Sequence, residues 1–174
     1  MVKDTLIEAR NVVRSAMESI DRRILSRSTE LKARTVSVAS RIYEVLNFID
    51  AILGGVIDRV GEEDASRIVS FGTYFYLAPY EDSFTLVRSK PYMITISYKK
   101  GEGKLYVKTK NFKAEITPST MELTKLSMKI KVDLRSPEDI SKKLPEIKYL
   151  LRSLGRIIEY QLLPVAEKRL GLKL

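Results

Sequence analysis

The sequence predicts an α+β protein: a long N-terminal helical segment, an antiparallel β-meander of about 4–6 strands, and C-terminal helices packed on one face of the sheet. Three observations predict it. Apolar residues recur at helical spacing through the first third of the chain, the period changes to two over residues 68–135, and helical spacing returns after Ser136. The 174 residues suit a single α+β domain, 1–174, made of a helical segment (1–65), an antiparallel sheet (66–135) and C-terminal helices (136–174).

Residues 4–60 contain no proline, and no glycine before Gly54 and Gly55. Met17, Ile24, Leu31, Val38, Val45 and Ile52 are seven residues apart, and Ile42, Ile49 and Val56 lie four residues beyond Val38, Val45 and Ile52. Together they form one apolar seam, which Leu6, Val13 and Ile20 extend upstream. Leu31, Val38, Ile42, Val45, Ile49 and Ile52 are therefore the expected assembly face, available to the sheet or to a second copy of the chain. Ser28 and Thr35 interrupt the seam, so the helix is expected to break within Ser26-Arg27-Ser28-Thr29. An unbroken helix of ~55 residues would reach roughly 80 Å. A compact domain of this size has a radius of gyration of only ~16 Å. Gly54-Gly55 and Gly61 read as helix-ending signals, with Glu62-Glu63-Asp64 opening a loop or short helical turn.

Val69, Phe71, Thr73, Phe75 and Leu77 read as one alternating strand, closed by a turn at Ala78-Pro79-Tyr80-Glu81-Asp82. Residues 84–88 form a short strand. Tyr92, Ile94, Ile96 and Tyr98 mark the next, and Lys100-Gly101-Glu102-Gly103 turns it into residues 104–110. Residues 112–117 add a strand before Pro118. Leu126, Met128, Ile130, Val132 and Leu134 alternate most regularly, but out of phase with Met121 and Leu123. A bulge or break is therefore expected near Thr124-Lys125. Ser136-Pro137-Glu138-Asp139 then starts a helix, with Ser136 as its cap. Pro145 separates a short helix from a longer one, and Pro164 should kink or split the latter. Leu144, Leu151, Ile158, Val165 and Leu172 give that region its own heptad stripe, with Ile140, Ile147 and Leu154 in the second register.

The formal net charge is +9, and it is localised. Residues 86–135 hold 12 Lys and Arg against 4 Asp and Glu, whereas residues 1–65 hold 10 against 11. Strand parity puts Tyr106, Lys108 and Lys110 on one face, and Lys129 and Lys131 on the polar side of the last strand. Lys99, Lys100 and Lys104 sit at the glycine hairpin. These residues form the candidate surface for nucleic acid or an acidic protein partner. Ammonium groups would follow phosphates, and the Tyr106 ring would stack on a base. No RNP-like aromatic pattern, GXXG loop or zinc finger accompanies them, and lysine also blunts sheet edges.

The chain has neither Cys nor His. That excludes disulfides, zinc sites of the usual kind, and Ser-His-Asp or Cys-His catalysis. No catalytic residue, metal site or cofactor is assigned. Glu62-Glu63-Asp64 reads as a charged turn rather than a Mg²⁺ site. Gly101-Glu102-Gly103 lacks the helix and Lys-Ser/Thr of a phosphate loop. Tyr74, Tyr76 and Tyr80 around Phe75 read as packing rather than as a base platform. The row Arg27, Arg34, Arg41 reads as a solvated face, with Glu30 four residues before Arg34. One Gln and three Asn among many Lys, Arg and Glu give a thermophile-like composition. The start MVKDTLIEAR is charged, and the most apolar stretch, 48–57, contains Asp50 and is about half a membrane span. A cytoplasmic protein without membrane contact is expected. The leading functional expectation is a small non-catalytic binding or assembly subunit, homo-oligomeric or part of a complex, that contacts nucleic acid through the basic sheet. The alternative is a purely structural protein–protein module using the heptad stripes, and an enzyme of unrecognised type ranks third.

Overall fold

The computed structural model describes residues 2–61 and 67–174. Two helices, α1 (Val2–Arg23) and α2 (Ala33–Arg59), flank a 3₁₀ turn, Leu25–Glu30. Eight strands follow: β1 (Val69–Gly72), β2 (Phe75–Pro79), β3 (Ser83–Arg88), β4 (Ile94–Lys99), β5 (Leu105–Lys108), β6 (Phe112–Ile116), β7 (Thr120–Lys125) and β8 (Met128–Asp133). The chain continues through α3 (Pro137–Lys142), α4 (Leu144–Gly155), a π-helical segment (Arg156–Leu162) and α5 (Leu163–Leu170).

The N-terminal helix breaks where its seam weakens. Arg27 leaves helical geometry (φ −111°, ψ 24°), and Ser26 Oγ donates to the Arg22 carbonyl at 2.6 Å. Past the break α2 packs along α1, and Asp50 accepts from Arg10 and Arg14 at 2.9 and 3.0 Å. Val38, Ile42, Val45, Ile49 and Ile52 are at most 4% exposed, and Leu31 is half-buried at the start of α2. The stripe is thus consumed inside the chain's own core and is not presented to a second copy, because the turn lets the two helices cover each other. Gly54 and Gly55 do not end α2. A Cβ on Gly54 would come within 2.7 Å of the Arg10 guanidinium, and one on Gly55 within 2.5 Å of the Leu172 side chain. Close approach, rather than helix termination, explains both glycines. Glu62-Glu63-Asp64 lies outside the described residues.

All eight strands pair in sequence order as an antiparallel meander. The count exceeds the expected 4–6 because two reversals carry no Gly-Pro signal. The segment read as one strand over 69–77 is a hairpin, β1–β2, folded at Thr73-Tyr74. The phase offset expected as a bulge or break near Thr124-Lys125 is a complete reversal at Leu126-Ser127. Leu126 is 74% exposed there, with φ at +54°, and Met128 is also exposed. Tyr92 precedes β4 and is exposed rather than alternating into the core.

The remaining alternation holds. Phe75, Leu77, Phe84, Leu86, Ile94, Ile96, Leu105, Val107, Ala114, Ile116, Met121, Leu123 and Val132 point inward and are almost fully buried. Each of these other than Ala114 contributes ~1.5–3 kcal/mol on burial. α1 lies over β3 to β6, α4 meets β6 and β7, α5 meets β1, and α2 packs on α1 and on the C-terminal helices. One hydrophobic cluster joins all of these elements. Ser136 caps α3 by accepting the Asp139 N–H at 3.0 Å, and Pro145 opens α4. Pro164 has no N–H to continue an α-helical ladder, and the wider π turns immediately precede it. No helix among the described residues is long and apolar enough to cross a membrane.

Glu8 ties α1 to the sheet, accepting from Tyr98 Oη at 2.5 Å and the Gly101 N–H at 2.7 Å. These bonds, the tyrosine's first, hold its carboxyl below the ordinary glutamate range. A depressed carboxyl adds stability above its unfolded pKa and loses it as pH falls through the folded one. Glu8→Gln should therefore lower the urea midpoint near neutral pH, with the gap from the parent protein narrowing in acid. The core role of α2 is tested separately. Ile42→Ala should cost about 2–5 kcal/mol in urea denaturation, with no change of molecular mass in light scattering.

Candidate nucleic-acid interface

An antiparallel meander sends successive turns to opposite ends of the sheet. Turns 73–74, 89–93, 109–111 and 126–127 form one rim, here the upper, and turns 80–82, 100–104 and 117–119 form the lower. The upper turns and the strand ends beside them carry Arg88, Lys90, Lys108, Lys110 and Lys125, with no Asp or Glu. The lower rim mixes Lys99, Lys100 and Lys104 with Glu81, Asp82 and Glu102.

The residues singled out by parity are therefore divided among three places. Lys99, Lys100 and Lys104 lie at the lower rim. Lys108 and Lys110 lie at the upper rim, Lys110 within a turn because β5 ends at Lys108. Tyr106, Lys129 and Lys131 lie on the outer sheet face. There the register runs Thr95, Lys108, Lys113, Thr124, Lys129 in one row and Ser97, Tyr106, Glu115, Glu122, Lys131 in the next. Lys113 meets Glu115 at 2.9 Å, and Lys129 meets Glu122 at 3.2 Å. The hydrogen bond from Lys113 holds the Glu115 carboxyl below its usual range. The ammonium groups of Lys108 and Lys113 sit 5.1 and 5.2 Å from the Tyr106 ring centroid. The centre of the outer face is thus internally compensated, and its tyrosine ring, flanked by two ammonium groups, is only partly exposed.

The upper rim differs because the C-terminal helix runs along it. Lys125 Nζ lies 5.0 Å from the Tyr149 ring centroid and 3.1 Å from Ser153 Oγ. Ile157 and Gln161 face turns 89–93 and 109–111 across a cleft of about 730 Å³. Pro164, Val165, Lys168 and Arg169 share a cleft of about 440 Å³ with Thr73, Tyr74, Arg88 and Lys90. The helix therefore crosses the strand ends from β7 towards β1. Arg88 donates to the Gln161 carbonyl and fastens the π segment to β3. The Leu126 N–H donates to the Asn111 carbonyl at 3.2 Å and joins two of the turns.

Exposed aromatic rings gather on this same surface: Tyr74, Tyr92 and Tyr149, with Met93, Leu126 and Met128 beside them. Tyr92 is 69% exposed, and Lys90 Nζ lies 5.6 Å from the Tyr74 ring centroid. Cations alternating with open rings can bind phosphate and a planar base side by side. Lys90, Tyr92, Lys125, Tyr149, Lys168 and Arg169 were not assigned from sequence. They sit in turns, on a helix or, for Lys125, at the last position of a strand, where strand parity does not tell which end of the sheet a residue shares. Arg27, Arg34 and Arg41 do not form a row: Arg27 is in the 3₁₀ turn paired with Glu30, and Arg41 is on α2 paired with Glu44 and Glu159.

Among the described residues, no group of three or more Asp and Glu side chains is placed to hold a metal ion. No protein-family model matches the chain, and no curated protein or solved structure is similar to it.

Leu126 combines an exposed apolar side chain with left-handed backbone, a conformation costing ~1–2 kcal/mol outside glycine. Leu126→Gly should therefore leave the urea midpoint unchanged or raised, and a clear drop would show that the leucine packs.

Proposed function

We propose that the protein is a non-catalytic binding subunit that contacts single-stranded nucleic acid along the upper rim and the helix crossing it. The observation that supports this best is the interleaving of Tyr74, Tyr92 and Tyr149 with rim cations whose turns contain no carboxylate. Phosphate neutralisation releases counterions and provides affinity without sequence preference. Open rings favour unpaired bases, because a duplex buries the faces they would stack on; each stacked base is worth ~1–3 kcal/mol. The outer face contributes at its upper edge through Lys108, while its centre is compensated by Glu115 and Glu122. The reading as a purely structural module draws less support, since the α2 stripe is buried within the chain.

Fluorescence anisotropy with labelled oligo-dT and oligo-U at two salt concentrations tests the proposal. Affinity should fall as salt rises. Reversing Lys90, Lys110 and Lys125 together to Glu should weaken binding by about ten-fold or more and flatten the logarithmic salt slope by roughly 2. Tyr92→Ala should weaken it by ~1–3 kcal/mol without altering that slope. The lower-rim triple Lys99→Glu, Lys100→Glu, Lys104→Glu should have a much smaller effect. Absence of binding at low salt, or equal damage from both triples, would contradict the proposal.

A further inference from the structure

On the other side of the C-terminal helix, between it and α2, lies a separate cleft of about 460 Å³. Its floor is apolar, formed by Val38 and Leu151, which are 4% and 3% exposed. Ser37 and Arg41 of α2 line one wall. Lys148, Arg152 and Arg156, spaced four residues apart on the helix, line the other, and Tyr160 continues their row.

Arg41 is held in place. Its guanidinium donates to Glu44 and, at 2.7 Å, to Glu159 Oε2. It also lies against the bare backbone of Gly155, where a Cβ would come within 2.6 Å of it. Lys148, Arg152 and Arg156 have no ion-pair partner among the described residues. Glu44 and Glu159 offset two of the four cations, so the cleft keeps a charge of +2. Like charges four apart on a helix repel, and here they line a concave, partly apolar space. A bound anion relieves that repulsion. Arg152 and Arg156 offer two adjacent guanidinium groups, one for each phosphate of a diphosphate, and the apolar floor with the Tyr160 ring suits a flat organic group. The volume lies in the range of small-molecule sites, ~300–1,000 Å³.

We propose that this cleft binds a small phosphorylated ligand of the nucleoside diphosphate class, with phosphates against Arg152 and Arg156 and the base against Tyr160. The site is separate from the rim and does not depend on the nucleic-acid reading.

Isothermal titration calorimetry with ADP and with inorganic pyrophosphate tests it. Both probes should bind with one-to-one stoichiometry, ADP more tightly. The double variant Arg152→Glu, Arg156→Glu should weaken both by about ten-fold or more, a loss of ~1.4 kcal/mol or more. Both side chains are exposed, so circular dichroism should be unchanged; Lys148→Glu serves as a second, single-site variant with the same direction of effect. Tyr160→Ala should weaken ADP and spare pyrophosphate. The rim triple at Lys90, Lys110 and Lys125 should leave both probes unaffected, so this proposal and the nucleic-acid reading fail separately. No binding of either probe, unchanged binding in the cleft variants, ADP no tighter than pyrophosphate, or loss of binding in the rim triple would overturn it.

Discussion

Along β2 to β8 the apolar side chains turn to one side, leaving a sheet face that is unstable in water until something covers it. α1 covers the middle strands, and the C-terminal helix must cover what remains near the strand ends. Because that helix crosses the strands, it meets one turn after another: Ser153 beside Lys125, Ile157 and Gln161 beside the next two turns, Val165 beside Thr73 and Tyr74. Apolar coverage of the sheet therefore assembles the upper rim. Residues far apart in sequence become one surface because α4, the π segment and α5 run on from one another past their turns.

The same packing gives the two ends of the sheet different electrostatic character. At the lower rim Glu8 reaches from α1 to Tyr98 and Gly101, and acidic turn residues stand among the lysines. At the upper rim the turns are cationic, and the neighbouring helix adds Lys168 and Arg169. Its other side presents Lys148, Arg152 and Arg156 to α2. Glu159, which could have neutralised that row, is instead held on Arg41. Positive charge on this part of the molecule is thus left open to solvent by the pairing pattern, not by composition alone.

Much of the fold was legible in the residues. Ser26 to Thr29 interrupts an otherwise apolar seam, Ser136-Pro137 caps a helix, and the glycines at 101 and 103 supply the positive φ that their hairpin needs. Two turns were not legible, because Thr73-Tyr74 and Leu126-Ser127 themselves contain no glycine or proline, and Gly72 beside the first lies within an unbroken alternation of apolar residues. Their loss matters more for the site than for the fold. Parity along a strand assigns a side chain to a face, but assigning it to an end requires every intervening turn. Tyr106 and the lysines could be placed on a face; which lysines shared an end could not. Gly54-Gly55 misled for a related reason, since glycine marks both a helix end and a close contact, and only the position of Arg10 and Leu172 separates them.

The central claim is that one end of the sheet and the helix across it form a single binding surface. The most direct measurement is a ¹⁵N–¹H NMR titration of the full chain with a short oligo-dT. Backbone shifts should concentrate in residues 73–74, 88–93, 108–111 and 125–128 and along the helix from Tyr149 to Arg169, leaving turns 80–82, 100–104 and 117–119 unmoved. Shifts centred on the lower turns, or spread evenly over the outer sheet face, would contradict it.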